Sequence, residues 1–201
     1  MKTIFDTLNL SQFRERPAMY IGGHDLCTLE TWINGYWSAC EDAGELDRLN
    51  TANGIPISLL RDYIAWKEQD RTTSGIAHIL MTATGGHAGR AWSVFFSHLD
   101  EFCDLKICGS RSMIITDTMA THMTALKRFY DVAADGSLVP ISYLGCIFKK
   151  TILTDDLCWV EITEGPHKNS IWKSWFSITP EKEADAYLLE CFGAVNWGTE
   201  L

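Results

Sequence analysis

Residues 131–141 read Asp131-Val132-Ala133-Ala134-Asp135-Gly136-Ser137-Leu138-Val139-Pro140-Ile141, and the pattern of the chain changes across them. Upstream, Met119, Met123, Leu126, Phe129 and Tyr130 recur at the spacing of one helical face and predict a helix over 118–134. Asp135-Gly136 ends it, because glycine enters turn conformations freely and aspartate competes for backbone donors. Downstream the content of β-branched and aromatic residues rises, which predicts strands over 141–148, 151–153, 158–162 and 171–178, broken at Asp155-Asp156 and Gly165-Pro166. The short connections favour antiparallel pairing, since parallel strands need a longer crossover. Thr179-Pro180-Glu181 then predicts a last helix with a hydroxyl cap and proline at its first position, packing Tyr187, Leu188 and Cys191 on the sheet.

The half before the pivot is helical throughout. Leu29, Trp32, Ile33, Tyr36, Trp37 and Cys40 line one helix face, with Thr28 as the expected N-cap. Pro56 starts a further helix that turns Leu60, Tyr63 and Ile64 inward, and a short apolar helix over 75–83 ends at Gly85-Gly86. The longest amphipathic stretch follows, with Trp92, Phe95, Phe96, Leu99, Phe102 and Cys103 on one stripe. The expected fold class is therefore α+β. A helical N-terminal region, 1–105, packs with an antiparallel sheet and flanking helices in 106–201, together as one unit.

Composition supports a well-cored chain and narrows its partners. The 201 residues are 46% hydrophobic with eight tryptophans, and the formal net charge is -9. That charge argues against a general nucleic-acid binder, whose affinity comes from lysine and arginine displacing counterions. A macromolecular partner held by electrostatics should instead be basic. Residues 1–105 carry eight basic and fourteen acidic side chains, against nine and twelve in 106–201, so the excess acid lies mainly in the helical half. Seven cysteines without a repeating spacing read as reduced thiols, and the N-terminus lacks the apolar run of a signal peptide. No apolar run approaches the roughly 20 residues of a bilayer span. The expectation is a cytoplasmic protein that engages neither membrane nor nucleic acid.

The most distinctive string is Arg14-Glu15-Arg16-Pro17-Ala18-Met19-Tyr20-Ile21-Gly22-Gly23. Proline disfavours helix at the residue before it, and the glycines allow a tight turn. Arg16, Pro17, Met19, Tyr20 and Gly22 are read as a structural motif, an interhelical clamp that inserts Met19, Tyr20 and Ile21 under the next helix. The same string resembles the opening of gyrase-type ATPase domains. That resemblance implies an alternative reading as a nucleotide-binding or ATPase-like module using the Arg16–Gly23 segment, with Arg16, Tyr20 and Asn34 lining a pocket beside the glycine turn. Taken with 29–37, 60–67 and 91–102, residues 14–105 also resemble a group of small bacterial proteins with an Arg-Pro-x-Met-Tyr-hydrophobic-Gly opening. Some of that group resemble immunity proteins of polymorphic toxin systems.

Catalytic and metal signatures are thin. The six histidines show no His-x-x-x-His pair, the cysteines no Cys-x2-Cys pair, and neither a phosphate-binding loop nor a nucleophile elbow occurs. No catalytic residue, metal or cofactor is expected. Two acidic clusters stand out: Glu41, Asp42, Glu45 and Asp47 at a helix end, and Asp100, Glu101 and Asp104 on one polar helix surface. Carboxylates at a helix C-terminus oppose its dipole, so the first cluster does not serve the helix. With the resemblance, these residues are expected to contact a basic protein toxin domain. The chain would then be a non-enzymatic immunity protein that occludes the toxin's active site.

Overall fold

The computed structural model describes residues 3–126, 130–132, 135–165, 171–172 and 177–198. The fold is α+β, and the chain divides into two compact units, Met1–Ile107 and Cys108–Leu201.

The first unit is helical: α1 (Ile4–Leu8), α2 (Ser11–Glu15), α3 (Ala18–Ile21), α4 (Leu26–Asp42), α5 (Leu60–Lys67), α6 (Ile76–Ala83) and α7 (Ala88–Asp104), with 3-10 turns at Leu46–Leu49 and Ile57–Leu59. Its core is the stripe of α7, where Ala91, Phe95, Leu99 and Phe102 are fully buried. Phe102 stacks with Phe5 of α1 and Tyr63 of α5, at centroid distances of 6.2 and 5.5 Å. Offset and tilted aromatic pairs of this kind add to what area burial contributes.

Helix ends are secured by side chains from nearby and from far along the chain. In α1, Thr3 and Asp6 form a reciprocal capping box. The N-cap of α4 is Asp25, whose carboxylate accepts from the Thr28 amide at 2.8 Å and the Thr28 hydroxyl at 2.7 Å, which holds its pKa below the usual value. Thr28, expected as the cap, is therefore the residue that the cap holds. Helix α6 begins at Gly75, which has no side chain to offer. Its first amides instead donate to the Glu30 carboxylate of α4, Ile76 at 2.8 Å and Ala77 at 3.2 Å. The negative group sits where the dipole of α6 is positive. Glycine leaves room for that carboxylate, which a Cβ at Gly75, 2.8 Å from both Cδ and Oε2 of Glu30, would force to move.

The second unit contains β1 (Ile107–Ile114), α8 (Asp117–Ala125), β2 (Tyr130–Val132), β3 (Leu138–Pro140), β4 (Ile147–Leu153), β5 (Leu157–Glu164), β6 (Ile171–Trp172), β7 (Ile178–Pro180) and α9 (Glu181–Phe192). The main sheet runs β1-β4-β5-β6, with β7 also pairing β5, while β2 and β3 form a separate antiparallel pair. The central hairpin is antiparallel, from Phe148 opposite Ile162 to Ile152 opposite Cys158. It turns on Asp155 and Asp156, both at positive φ (62° and 57°). Aspartate tolerates that region better than most residues because its short side chain bonds locally. Helices α8 and α9 cover a core of Met119, Met123, Phe148, Ile162, Leu188 and Phe192, in which Phe148 meets Phe192 edge-on at 5.4 Å.

Several local expectations are corrected. Of the helix expected over 118–134, α8 covers Asp117–Ala125, Tyr130–Val132 pairs as a strand, and 127–129 and 133–134 lie outside the described residues. The two strands expected at 141–148 and 151–153 are one, Ile147–Leu153. The region over 171–178 holds β6 and the start of β7, with 173–176 outside the described residues. Pro180 is the N-cap of α9 and not its first helical residue, and the Thr179 hydroxyl donates to Glu183 at 3.3 Å. Strand β1 had no sequence expectation at all.

Replacing Gly75 with alanine is expected to push the Glu30 carboxylate off the α6 amides, costing about 1–2 kcal/mol, the size of a lost cap. Glu30→Ala should cost a similar amount. Combined in one protein, the two should cost little more than either alone, as read by urea denaturation.

Candidate functional site

The two acidic clusters prove physically different. Asp100 is consumed inside the first unit: Arg14 of α2 grips it with both guanidinium nitrogens, Nη1 to Oδ2 at 2.8 Å and Nη2 to Oδ1 at 2.5 Å. That pairing holds the Asp100 carboxyl below its ordinary value and raises Arg14, whose guanidinium also lies 4.7 Å from the Phe96 ring centroid. Glu101 faces another way, to Lys67 of α5 at 2.5 Å and to the Tyr63 hydroxyl, which donates at 3.2 Å. Burial pushes the Glu101 carboxyl up, but the Lys67 and Tyr63 contacts outweigh it and the net shift is downward. Asp100, Glu101 and Asp104 are all exposed on α7, but two of them are engaged by different helices. Successive helical residues lie about 100° apart, so these acids diverge toward α2 and α5, and only Asp104 has no ion-pair partner among the described residues.

The cluster after α4 behaves oppositely. Glu41, Asp42, Glu45 and Asp47 are all exposed. Only Glu45 is paired, with Arg48 at 2.5 Å, and Arg48 in turn lies over the Tyr36 ring at 5.8 Å. Among the described residues Glu41, Asp42 and Asp47 have no cationic partner. Between Glu45 and Asp47 stands Leu46, 55% exposed.

The Arg16–Gly22 segment is a surface feature. Pro17 is buried and Gly22 takes the left-handed conformation (φ 74°) that closes α3. However, Met19 is 76% exposed, so the expected insertion of Met19 and Tyr20 under α4 is corrected. A four-residue helix presents only one side to the protein, and Phe13 already fills that side. Tyr20 rests on Phe13 at 5.4 Å, and Phe13 rests on Trp32 of α4 at 5.7 Å. Arg16 lines a hollow with Gln12, Glu15 and Met19, whereas Asn34 lines a different cleft of about 210 Å³ with Glu30, Trp37, Ser58 and Arg61. Arg16 and Asn34 therefore line different hollows.

Sequence reasoning missed a charged cluster in the second unit. Lys150 of β4 is wholly buried, and its Nζ donates to Glu181 at 2.6 Å and to Asp185 at 2.9 and 3.0 Å. It also lies 4.7 Å from the Trp197 ring centroid, and the Trp197 indole donates to Asp185 at 2.8 Å. The available signal was the i, i+4 spacing of Glu181 and Asp185 opposite a lysine at a core-facing strand position. Every donor is satisfied within this cluster, so it fastens α9 and the chain after it to the sheet. The neighbouring Cys158 thiol is pushed by burial up to about 12, and Cys103 up to about 11, so both are inert. Among the described residues no group of three or more His, Cys, Asp or Glu is placed to hold a metal ion, and no helix is long and apolar enough to cross a membrane.

No protein family, curated protein or solved structure matches the chain. The surface geometry of its own residues is what bears on function.

Two stability measurements check these assignments. Because the folded-state pKa of Asp100 is depressed, its pairing contributes above the ordinary carboxylate range and is lost as pH falls through the folded value. Asp100→Asn should therefore be less stable than the parent at pH 7, with the difference vanishing as pH falls below the depressed folded-state value. In the second unit, Glu181→Gln with Asp185→Asn strands a buried cation and should cost about 3–5 kcal/mol. Lys150→Met leaves only part-exposed carboxylates and should cost less.

Proposed function

We propose that the chain is an immunity protein: a non-enzymatic, cytoplasmic, antitoxin-type binder that neutralises a cognate bacterial toxin by occluding its active site. The observation that carries this reading is the division of labour among the acids. The structure uses Asp100 and Glu101 internally, yet among the described residues leaves Glu41 and Asp42 unpaired at the C-terminal end of α4, where negative charge is unfavourable, and Asp47 unpaired beside the exposed Leu46. Retaining such a patch is costly to the free protein, and a basic partner offsets that cost. Acidic side chains on the inhibitor would stand opposite the lysines and arginines with which a toxin domain grips nucleic acid or nucleotide. Charges so placed accelerate encounter, while an apolar residue among them supplies the desolvated anchor.

The resemblance of residues 14–105 to immunity-like proteins points the same way. The nucleotide-binding alternative has less support, since Arg16 lines a hollow with Gln12, Glu15 and Met19 while Asn34 lines a cleft with Glu30, Trp37 and Arg61. Its remaining prediction is stabilisation by ATP and magnesium, and no change in melting temperature is expected.

The test starts from the neighbouring genes, where this reading expects a secreted protein that ends in a toxin domain. Co-expression should rescue its lethality, and Glu41→Lys/Asp42→Lys/Asp47→Lys should slow association at least tenfold at low salt and flatten its salt dependence. Unchanged association would remove this surface from the interface. Absence of rescue by the parent protein would overturn the immunity reading.

A further inference from the structure

The face of α4 turned away from the core is unlike an ordinary solvated helix face. Leu26, Leu29, Ile33 and Cys40 are buried, and the opposite side carries Cys27, Thr31, Asn34, Gly35, Ser38 and Ala39, all exposed. Solvated faces are normally lined by charged side chains. Here no charge appears until Glu41. The face is bracketed by half-buried aromatic rings, Trp32 and Tyr36 on one side, 5.8 Å apart, and Trp37 on the other. One end opens into an apolar hollow of about 400 Å³ lined by Ile21, Cys27, Thr28, Thr31 and Trp32. The other end runs into the unpaired carboxylates.

Gly35 sharpens the point. A glycine inside an exposed helix costs about 1 kcal/mol relative to alanine. A Cβ there would meet nothing within 4 Å, so neither packing nor backbone requires it. What its absence allows is a close approach from outside.

We propose that this face is the docking surface for a basic amphipathic helix of the partner protein. That helix would set apolar side chains between the aromatic rings and into the Ile21–Trp32 hollow, with its lysines and arginines against Glu41, Asp42 and Asp47. Charge complementarity fixes the class of occupant: an acidic helix would meet repulsion at the carboxylate end, and a second copy of this chain would bring its own acids to the same place. Seventeen residues extend about 25 Å at 1.5 Å each, enough for a partner helix of similar length packed at the 8–10 Å spacing of helix pairs. The proposal rests on the reading of the chain as a binder of a basic protein, and adds where and in what form that partner is held.

The test is a titration of ¹⁵N-labelled protein with an 18-residue leucine/lysine amphipathic helical peptide and, separately, its leucine/glutamate counterpart. The lysine peptide should shift the amide signals of Thr31, Gly35 and Ser38 and the indole signal of Trp32, and the glutamate peptide should not. Gly35→Phe and, independently, Ser38→Trp should weaken binding at least tenfold without lowering the melting temperature. Gly35→Ala should raise it by about 2–4 °C. Shifts confined to other residues, equal binding of both peptides, no shifts at millimolar peptide, or unimpaired binding by both bulky variants would overturn the proposal. Failure of toxin rescue with peptide binding intact would sink the immunity reading and leave the surface standing. Rescue with no peptide response on α4 would do the reverse.

Discussion

The contact on which the helical unit depends is the Glu30 carboxylate lodged against the first amides of α6. It fixes α4 in two ways at once. The apolar stripe of Leu26, Leu29 and Ile33 faces the core, and Glu30, one turn from Leu26 and from Ile33, locks the rotation of the helix about its axis. Gly75 supplies the space, and Arg61 ties the loop before α6 by donating to the Ser74 carbonyl at 2.8 and 3.0 Å. Once that rotation is set, Thr31, Gly35 and Ser38 must point outward and Trp32 and Trp37 must flank them. The candidate surface is thus a geometric consequence of a cap forty-six residues away in sequence.

Charge is allotted in the same fashion. Carboxylates that the fold uses are each matched to a donor: Glu30 to a helix N-terminus, Asp100 to Arg14, Glu101 to Lys67, and Glu181 and Asp185 to Lys150. The exposed pairs among them contribute little individually, whereas the buried Lys150 cluster is intolerant of losing its anions. Among the acids without a cationic partner in the described residues, Glu41, Asp42 and Asp47 lie at the end of α4 and in the turn after it. A net charge of -9 says only that the chain is acidic; the pairing pattern says where the unspent charge lies.

Much of this was legible in the sequence because periodicity reports burial directly. The stripes of α4 and α7, the stop at Arg16-Pro17, and the β4–β5 hairpin about Asp155-Asp156 all follow from apolar spacing and turn chemistry. What periodicity does not encode is the partner of a polar group. Thr28 looked like a cap because hydroxyls cap helices, but Asp25 stood three residues ahead with the stronger acceptor. Asp100 and Glu101 looked like one surface because they are adjacent, and only the positions of α2 and α5 separate them. Met19 looked like core because it is apolar, yet α3 is too short to bury it. Lys150 escaped notice because its two anions lie more than thirty residues downstream.

The central claim is that the outward face of α4 and the acidic turn after it receive a basic protein. Hydrogen exchange of the intact chain, alone and saturated with a toxin domain whose lethality it rescues, tests it most directly. The account predicts new protection concentrated over residues 27–47, strongest around Gly35 and the Leu46 turn. Protection that falls elsewhere and leaves 27–47 exchanging as in the free protein would contradict it.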